Sequence, residues 1–396
     1  MPSSARPENF FAPRSRPLRL VYAVHGYGRG HATRSLAVLA ELSQRHEVLV
    51  LAGGDAYEAL APSYPVVRIP TLGFAYGRGT GTRSNWATLL HNAGAVLDLC
   101  CRGALFEMVS DTIDQFGPDV LVSDAETWSH QVAERLGIPR ISFDHIGILA
   151  HCRPAIAWRD RVEAAFDTGV YLALMGRADR VLVSSFYPAP PRHGGVRVVP
   201  TLARPEVQRA VPSDGDHLLV YLNQGHVQFD ERLRRVLTDL NQPVRIYGTS
   251  LRGSEGHLSF LPPGNQSFVD DLAACRAVLS TAGNQLVGEA MQLGKAILVM
   301  PENCVEQRMN ARAVEQLGIG EQVAQRALTV DGLKQFLARR ETYARRMLAE
   351  RRDGLRESIQ AIEQFIAELV PGKVRHSERA PQRHPLPVPG AQAVLP

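Results

Sequence analysis

Short apolar runs alternate with longer segments of helical periodicity along most of the chain. In the first half, runs rich in Val, Leu and Ile predict strands at 18–24, 47–51, 119–123, 140–143 and 180–184. Continuous apolar runs of this length are typical of strands buried on both faces of a parallel sheet. Segments of helical periodicity lie between them, at 33–44 and 126–136. Strands that alternate with helices indicate βαβ units, with helices on both faces of each sheet.

The alternation stops in a stretch punctuated by proline at 200–216 and then starts again. Further strands are predicted at 217–223, 244–247, 277–280 and 296–300, with helices at 230–240 and 285–293. A restart after a linker predicts an α/β protein of two Rossmann-like, doubly wound parallel-sheet domains that face each other across a cleft. We place these segments at 17–200 (first domain), 201–216 (linker), 217–340 (second domain), and 1–16 and 371–396 (disordered termini).

Composition narrows the classes of function. The 396 residues are 45% hydrophobic and 21% charged, with a net charge of only +4, as in ordinary globular proteins. No basic tract is interleaved with aromatic residues, so we expect no nucleic-acid partner. We find no run long enough for a membrane-spanning helix and no signal peptide at 1–16. The five cysteines lack metal-ligand spacing, which favours reduced thiols in the cytoplasm.

The most informative segment runs from 280 to 310. It reads as a strand end, a glycine turn, a helix with one glutamate, a buried strand and a loop containing Glu306 and Gln307. The turn at Gly283 and Asn284 opens a helix at Gln285, and the free N–H groups of a helix start suit a diphosphate. Glu289 lies near that start and can accept both hydroxyls of a ribose, while the later Glu-Gln pair can bind sugar hydroxyls. These features predict a nucleotide-sugar pocket at the carboxyl ends of parallel strands.

The segment 268–310 resembles the donor-binding motif of GT-B glycosyltransferases of families 1 and 28. It is most similar to the N-acetylglucosaminyltransferases that complete lipid II. The likeness begins at Phe268-Val269, which therefore join the predicted donor site, and it is specific because a long ordered series of features matches. The loop 26–31 is similar to the first glycine loop of the family, whereas from 33 to 216 the match is only architectural.

This resemblance implies the GT-B fold, with a C-terminal helix at 341–370 that crosses back to the first domain. It also implies an inverting, metal-independent transfer of a sugar from a nucleotide-diphosphate sugar, UDP-linked by expectation, to an acceptor hydroxyl. We expect no cofactor beyond that co-substrate. The acceptor stays open between a cell-envelope lipid or glycan and a small natural product. The alternatives are a nucleotide-sugar epimerase of the same fold and a non-catalytic protein that binds nucleotide sugars.

The turn Asn223-Gln224-Gly225 follows the first strand of the second domain. Its Gln-Gly step is similar to the phosphate-contacting turn of the family, which implies backbone contact with the diphosphate. The family more often has a small hydroxyl residue where Asn223 stands. A plain structural turn is the alternative.

The glycine loop at 26–31 supplies the candidate base. Gly28 and Gly30 lie between a strand and a helix, where they let the donor approach the backbone closely. The spacing G-x-G-x-G-H departs from the dinucleotide fingerprint, which disfavours NAD, and a plain tight turn is the structural alternative. A neutral imidazole at His31 can deprotonate an acceptor hydroxyl, and the resemblance supports that role. A helix-capping or acceptor-orienting role for His31 is the alternative.

Further polar residues follow two other strands of the first domain. Asp124 and Glu126 end the strand at 119–123, so either could orient the candidate base or act as the base itself. Asp124 could equally cap the next helix. The pair Asp144-His145 could line the acceptor cleft, although we favour a solvated loop.

Three further segments are charged or rich in glycine. We interpret Asp270-Asp271 as a helix start and predict no metal site. The loop 73–86 has the composition of a mobile loop that closes over an acceptor, or of a plain surface loop. For the arginine-rich segment 339–356 we favour a salt-bridged helix face over contact with an anionic membrane. A cytoplasmic protein is expected, and a peripheral position at the inner face of the membrane stays open.

Overall fold

The computed structural model describes residues 17–27, 29–73, 85–262 and 264–371. The predicted disordered terminus at 1–16 lies outside these residues, as does the tail at 371–396 except for Pro371. Gly28 and most of the loop 73–86 also lie outside them.

The described residues form fourteen strands, which are named here in chain order. They are β1 (Arg19–Val24), β2 (Glu47–Ala52), β3 (Val66–Arg68), β4 (Val120–Asp124), β5 (Arg140–Asp144), β6 (Arg180–Ser184), β7 (Val196–Val199), β8 (Leu218–Tyr221), β9 (Val244–Tyr247), β10 (Gly253–Glu255), β11 (Leu258–Phe260), β12 (Ala277–Ser280), β13 (Ile297–Val299) and β14 (Gly320–Gln322).

Helices connect nearly all of these strands. They are α1 (Arg29–Leu42), α2 (Gly54–Leu60), α3 (Asn85–Cys101), α4 (Ala104–Phe116), α5 (Thr127–Leu136), α6 (Ile148–His151), α7 (Arg161–Met175), α8 (Pro205–Arg209), α9 (Gly225–Gln228), α10 (Glu231–Asp239), α11 (Asn265–Ala274), α12 (Asn284–Leu293), α13 (Val305–Gln316), α14 (Val330–Ala349) and α15 (Gly354–Leu369). Short 3-10 helices lie at Trp158–Asp160 and Gln325–Ala327.

The strands form two sheets of seven, one in each half of the chain. The first has the order β3-β2-β1-β4-β5-β6-β7 and is parallel throughout. The second has the order β10-β11-β9-β8-β12-β13-β14, in which only β10 runs antiparallel. Every residue of β4, β5 and β12 is buried, including polar residues such as Asp124 and Asp144 at the ends of β4 and β5. The predicted α/β class with two doubly wound domains is therefore confirmed.

The strand orders place a crevice in each domain. In a doubly wound sheet, ligands bind outside the carboxyl ends of the strands, where the strand order reverses. That point lies between β1 and β4 in the first sheet and between β8 and β12 in the second. The residues that follow these four strands are those that the sequence selected as candidates.

The C-terminal helix of the prediction is two helices in the structure. Helix α14 ends at Ala349 and packs on α12 and the second sheet, while α15 begins at Gly354 and packs on α1, β6 and β7. The carboxylate of Asp353 caps α15 by accepting from the backbone N–H of Arg356. The crossing back to the first domain is thus present, but it starts at residue 354 rather than at 341.

The start of α15 lies against the linker between the domains. A Cβ built at Gly354 would lie 2.4 Å from the carbonyl oxygen of Thr201 and 2.6 Å from that of Pro200. Only glycine allows two backbone segments to approach this closely. The two places where the chain passes between the domains are therefore in direct contact.

The apolar face of α15 completes the core of the first domain. Ile362, Phe365 and Ile366 are buried in one cluster with Leu18 and Leu20. We expect Phe365→Ala to lower the free energy of unfolding by about 3–5 kcal/mol, because the substitution leaves a cavity in this core. Denaturant titration followed by circular dichroism measures the change.

The matched control is Val211→Ala, because the Val211 side chain is 84% exposed. It should change the free energy of unfolding by no more than about 0.5 kcal/mol. Equal stability of the Phe365→Ala and Val211→Ala proteins would contradict the packing of α15 on the first domain.

Candidate active site

A histidine, a carboxylate and an arginine meet at the crevice of the first domain. His31 lies in the first turn of α1, and its Nδ1 is 2.7 Å from Oδ1 of Asp124, the last residue of β4. Arg34 lies one turn further along α1 and donates from Nε to Oδ2 of Asp124 at 2.6 Å. The parallel pairing of β1 with β4 aligns Val24 with Asp124, which brings α1 over the carboxylate.

The charges around Asp124 keep it ionised. Its burial favours the neutral acid, but the charges and hydrogen bonds of Arg34 and His31 outweigh that effect and lower the pKa of the carboxyl to about 2. Burial, helped by the neighbouring His31, lowers the pKa of His25 to about 3, so that ring stays neutral. The His25 and His31 rings meet edge to face, with centroids 5.2 Å apart.

Nδ1 of His31 lies between a group that only accepts hydrogen bonds and a group that only donates them. Oδ1 of Asp124 is 2.7 Å away and Nη2 of Arg34 is 2.8 Å away. In the tautomer that donates from Nδ1 to Asp124, the lone pair of the neutral ring lies on Nε2, which is then the basic nitrogen. Asp124 also stabilises a positive charge on the ring if Nε2 takes up a proton. In that tautomer the pair of His31 and Asp124 can accept a proton.

Glu126 has a structural role. Its carboxylate caps α5 by accepting from the backbone N–H groups of Trp128 at 3.0 Å and Ser129 at 2.7 Å. Burial raises the pKa of this carboxyl. The prediction that Glu126 orients His31 or acts as the base is not supported by these contacts. The cap of α5 is Glu126 and not Asp124, which is free to pair with His31.

The turn after β8 touches the first domain. Nε2 of Gln224 donates to the hydroxyl of Tyr27 at 3.1 Å, so this contact joins the crevice loops of the two domains. The exposed Asn223 donates from Nδ2 to the hydroxyl of Thr281 at 3.0 Å, in the loop after β12. A Cβ built at Gly225 would lie 2.3 Å from the carbonyl oxygen of Gly248, so glycine is required there.

The polar side chains at the start of α12 are occupied by protein partners. Asn284 accepts from the backbone N–H of Phe186 at 3.2 Å and donates to the carbonyl of Ser184 at 3.1 Å. Gln285 donates to the carbonyl of Leu202 at 2.6 Å. These side chains join the domains, so their predicted contact with a diphosphate must come from backbone N–H groups.

The glycines that flank this helix start leave room for a ligand. A Cβ built at Gly283 would have no heavy atom within 4 Å. Gly30, at the start of α1, has one neighbour at that range, the Cβ of Gln285 at 3.7 Å. Open space at Gly283 beside the first turn of α12 is what a bound diphosphate requires.

Glu289 is not a free carboxylate. It is 0% exposed, and Arg204 from the linker donates to both of its oxygens, from Nε and Nη2, at 2.8 Å each. Gln285 adds a third hydrogen bond to Oε1 at 3.1 Å. The predicted contact with ribose hydroxyls therefore competes with an existing ion pair.

Two predicted donor-binding residues lie in the core. Phe268 packs edge to face against Tyr221 and Tyr247, with centroids 5.5 and 5.1 Å apart, and Val269 is fully buried. Both lie within α11, as does Asp271, which accepts from the hydroxyl of Tyr247 at 2.7 Å.

The prediction that Asp270-Asp271 starts a helix is wrong, because α11 begins at Asn265. Asp271 instead pairs with Arg245 of β9. No group of three His, Cys, Asp or Glu side chains that could hold a metal ion occurs within the described part of the chain.

The start of α13 lies beside the interface between the domains. Oε1 of Gln307 accepts from the backbone N–H groups of Ala282 at 3.1 Å and Glu302 at 2.9 Å, so it ties together two loops of the second domain. Glu306 is partly exposed, and its Oε1 lies 3.8 Å from Nε2 of His145. His145 is buried, contrary to the prediction of a solvated loop.

An acidic pair of the first domain also holds α13. Asp160 accepts from Nε of Arg308 at 3.0 Å and pairs with Arg312. Glu163 accepts from Nη2 of Arg308 at 2.5 Å. Asp144, in turn, accepts from the hydroxyl of Tyr171 at 2.8 Å within the first domain.

The functional residues that sequence reasoning missed are mostly arginines. Arg34 could have been found, because residues three apart in a helix share a face and His31 was already a candidate. No sequence pattern indicated Arg204 or Arg308, because their partners lie far away in the chain and in other elements.

The site combines a histidine–aspartate pair in one domain with a helix start and a buried carboxylate in the other. The sequence profile of the family described as "Glycosyl transferase family 1" matches residues 18–340. The chain belongs to this family. The protein is accordingly a glycosyltransferase. No curated protein matches it significantly.

Solved glycosyltransferase structures share its fold. The calicheamicin glycosyltransferase CalG4 is 18% identical with a TM-score of 0.62, and the match covers 90% of this chain and 100% of that chain. MurG of Acinetobacter baumannii is 17% identical with a TM-score of 0.55, covering 88% and 100%. Arabidopsis thaliana UGT89C1, solved in complex with UDP-L-rhamnose, is 16% identical with a TM-score of 0.62, covering 90% and 100%. The predicted GT-B fold of this glycosyltransferase is thus confirmed.

The glycosyltransferase has no helix, among the residues that the structure describes, with the length and apolar character needed to cross a membrane.

Two glycines of the second-domain crevice give a matched test. We expect Gly225→Ala to lower the free energy of unfolding by about 1–3 kcal/mol, because the new methyl group overlaps the carbonyl of Gly248 and displaces backbone. Gly283→Ala, one crevice loop away, should leave stability nearly unchanged because its methyl group enters open space. Thermal and denaturant unfolding of both variants measure the difference. A larger loss in Gly283→Ala than in Gly225→Ala would contradict the geometry of these turns.

Proposed function

We propose that this glycosyltransferase inverts the anomeric carbon and uses a nucleotide-diphosphate sugar, most simply a UDP-sugar, without a metal ion. The observation that carries the proposal is the pair of His31 and Asp124, joined at 2.7 Å beside the crevice between the domains. A base on the acceptor side and a helix start on the donor side are the two parts that a single displacement needs. The complex of UGT89C1 with UDP-L-rhamnose supports the choice of a UDP-linked donor.

The donor is assigned to the second domain. Its diphosphate meets backbone N–H groups at the first turn of α12, beside Gly283, and at the turn of Gln224 and Gly225. Its ribose meets Glu289, and its sugar lies near the start of α13 with Glu306 and the amide nitrogen of Gln307. Phe268 and Val269 support the wall of this pocket from within α11 rather than through polar contacts.

The reaction is assigned to His31. Nε2 takes the proton of the acceptor hydroxyl while the acceptor oxygen forms a bond to the anomeric carbon. The bond from that carbon to the diphosphate oxygen breaks, and the nucleoside diphosphate leaves with the electron pair. Asp124 stabilises the imidazolium that results, because its carboxyl stays ionised. Attack opposite to the leaving group converts an α-linked donor into a β-linked product.

Metal independence follows from the same arrangement. Helix starts and backbone N–H groups carry partial positive charge that can offset the negative diphosphate. Asp270-Asp271, an adjacent carboxylate pair that resembles a metal motif, lies in the middle of α11, where Asp271 is already paired with Arg245. This leaves the donor-side charge to the protein backbone.

The acceptor belongs to the first domain. The exposed side of α7 and of the turn before it carries Trp158, Val162 and Phe166, which are 82%, 84% and 59% exposed. The arginine-rich segment 339–356 was the other candidate for contact with a membrane, but Arg339 of α14 forms an ion pair with Glu321, as expected for a salt-bridged helix face. The apolar side chains favour an acceptor with an apolar part, such as a lipid-linked or natural-product hydroxyl, met in the cytoplasm or at the inner face of the membrane.

Two other functions fit the same donor pocket. An epimerase would act on the nucleotide sugar alone, and a non-catalytic binding protein would not turn it over. The histidine–aspartate pair favours transfer over both alternatives. A binding protein needs no base, and an epimerase, which acts on the nucleotide sugar alone, needs no base in the domain opposite the donor.

The deciding experiment incubates the protein with UDP-sugars and a panel of apolar and lipid-linked acceptors. We expect a β-linked glycoside from an α-linked donor, detected by the anomeric proton coupling in NMR, with an unchanged rate in excess chelator. A product of retained configuration would refute the mechanism. Loss of activity in chelator, restored by magnesium or manganese, would refute metal independence, and epimerised donor without transfer would identify an epimerase.

The role of the base is tested by substitution. We expect His31→Ala to lower turnover by about 10²- to 10⁴-fold, the usual effect of a positioned base, while UDP affinity changes little. Steady-state kinetics and calorimetric titration with UDP measure the two quantities. The matched control is His193→Ala, an exposed histidine of the same domain, which should keep full activity. Near-normal turnover of the His31→Ala protein would show that another residue is the base.

A further inference from the structure

Arg204 occupies the face of Glu289 that a ribose would need. The guanidinium approaches side-on, with Nε on one carboxylate oxygen and Nη2 on the other, both at 2.8 Å. A carboxylate has about four lone-pair positions, and this fork uses the two that point away from the side chain. A vicinal diol binds both oxygens of a carboxylate most directly through the same two positions.

The remaining approach to Glu289 is also closed. Gln285 donates to Oε1 at 3.1 Å from one turn earlier in α12, and it also donates to the carbonyl of Leu202 in the linker. The guanidinium of Arg204 lies over the ring of Phe268, 5.6 Å from its centroid. The carboxylate is therefore completely covered, and no ligand can reach it while Arg204 stays in place.

The covering arginine belongs to the linker. Arg204 directly precedes α8, whose first residue is Pro205, whereas Glu289 lies in α12 of the second domain. The Arg204 side chain is 14% exposed, so water reaches part of it although it reaches none of Glu289. A long, partly exposed side chain can rotate away without a change in the backbone of α12.

We propose that Arg204 is a gate on the donor site, which the ribose hydroxyls of the nucleotide displace from Glu289. The proposal rests on the proposed function, in which Glu289 binds the ribose. Binding is an exchange, because two hydrogen bonds from the guanidinium are replaced by two from the ribose. The gate lowers donor affinity and masks part of the contribution of each ribose hydroxyl, because a hydrogen bond from the ribose replaces one from the guanidinium.

The alternative role of Arg204 predicts the opposite result. A positioning residue would hold Glu289 ready for the ribose, so that its removal would weaken the contact with the hydroxyls. A residue with a purely structural role would alter the binding of all nucleotides equally. The ratio of affinities for UDP and 2′-deoxy-UDP separates these cases, since the two ligands differ only in one hydroxyl.

The experiment measures both dissociation constants by calorimetry for the wild type and Arg204→Met. Under the gate, Arg204→Met binds UDP about ten-fold more tightly, because a charge-assisted pair no longer has to be broken, and 2′-deoxy-UDP gains less. The ratio of the affinity for UDP to the affinity for 2′-deoxy-UDP therefore rises. An unchanged or smaller ratio overturns the gate. Arg209→Met, at the exposed end of α8 and five residues beyond Arg204, is the charge-matched control and should alter neither constant.

Two further variants keep the test decisive. If Arg204→Met does not fold, Arg204→Lys retains the charge without the fork, and it should raise the ratio by a smaller factor. In Glu289→Gln proteins, Arg204→Met should leave the ratio unchanged, because the two effects act through one contact. Failure of the wild type to bind UDP would refute the donor assignment together with the gate. UDP binding with an unaltered ratio would refute the gate alone.

Discussion

Buried hydrogen bonds between the two domains set the geometry on which the site depends. Asn284 of the second domain bonds to the backbone of Ser184 and Phe186. His145, whose Nδ1 bonds to the carbonyl of Ser184 within the first domain, bonds through Nε2 to Asn310 of the second domain at 3.1 Å. A polar group left unpaired in such an interface costs about 1–3 kcal/mol. These bonds therefore stabilise the relative orientation of the domains in which His31 and the start of α12 face the same crevice.

Each half of the site contains a buried carboxylate with its own arginine, but the two pairs differ. Asp124 is bound by Arg34 from a helix of the same domain, and both groups are almost completely buried, so this pair is a fixed part of the fold. Glu289 is bound by Arg204 from the linker, which keeps some contact with water. Under the proposed function the first pair sets the charge around the base, and under the proposed gate the second pair is rearranged by a ligand.

The sequence predicted the nine central strands because most of them are continuous apolar runs, whereas β3, β7, β10, β11 and β14, with three or four residues each, were not predicted. The sequence also indicated His31, Asp124 and Glu289, which the structure places in the first turn of α1, at the end of β4 and within α12. Their partners were harder to predict. The pairing of Glu289 with Arg204 depends on how the linker folds, and no local pattern distinguishes Glu126 from Asp124 as the cap of α5.

The contact of Gly354 with Thr201 has a mechanical consequence. The chain passes between the domains twice, and because both passages touch, they act as one pivot rather than as two separate tethers. Rotation of one domain about that pivot strains few covalent bonds, and it displaces an atom by more the farther that atom lies from the pivot. A contact between the domains therefore resists their relative rotation more strongly the farther it lies from this pivot.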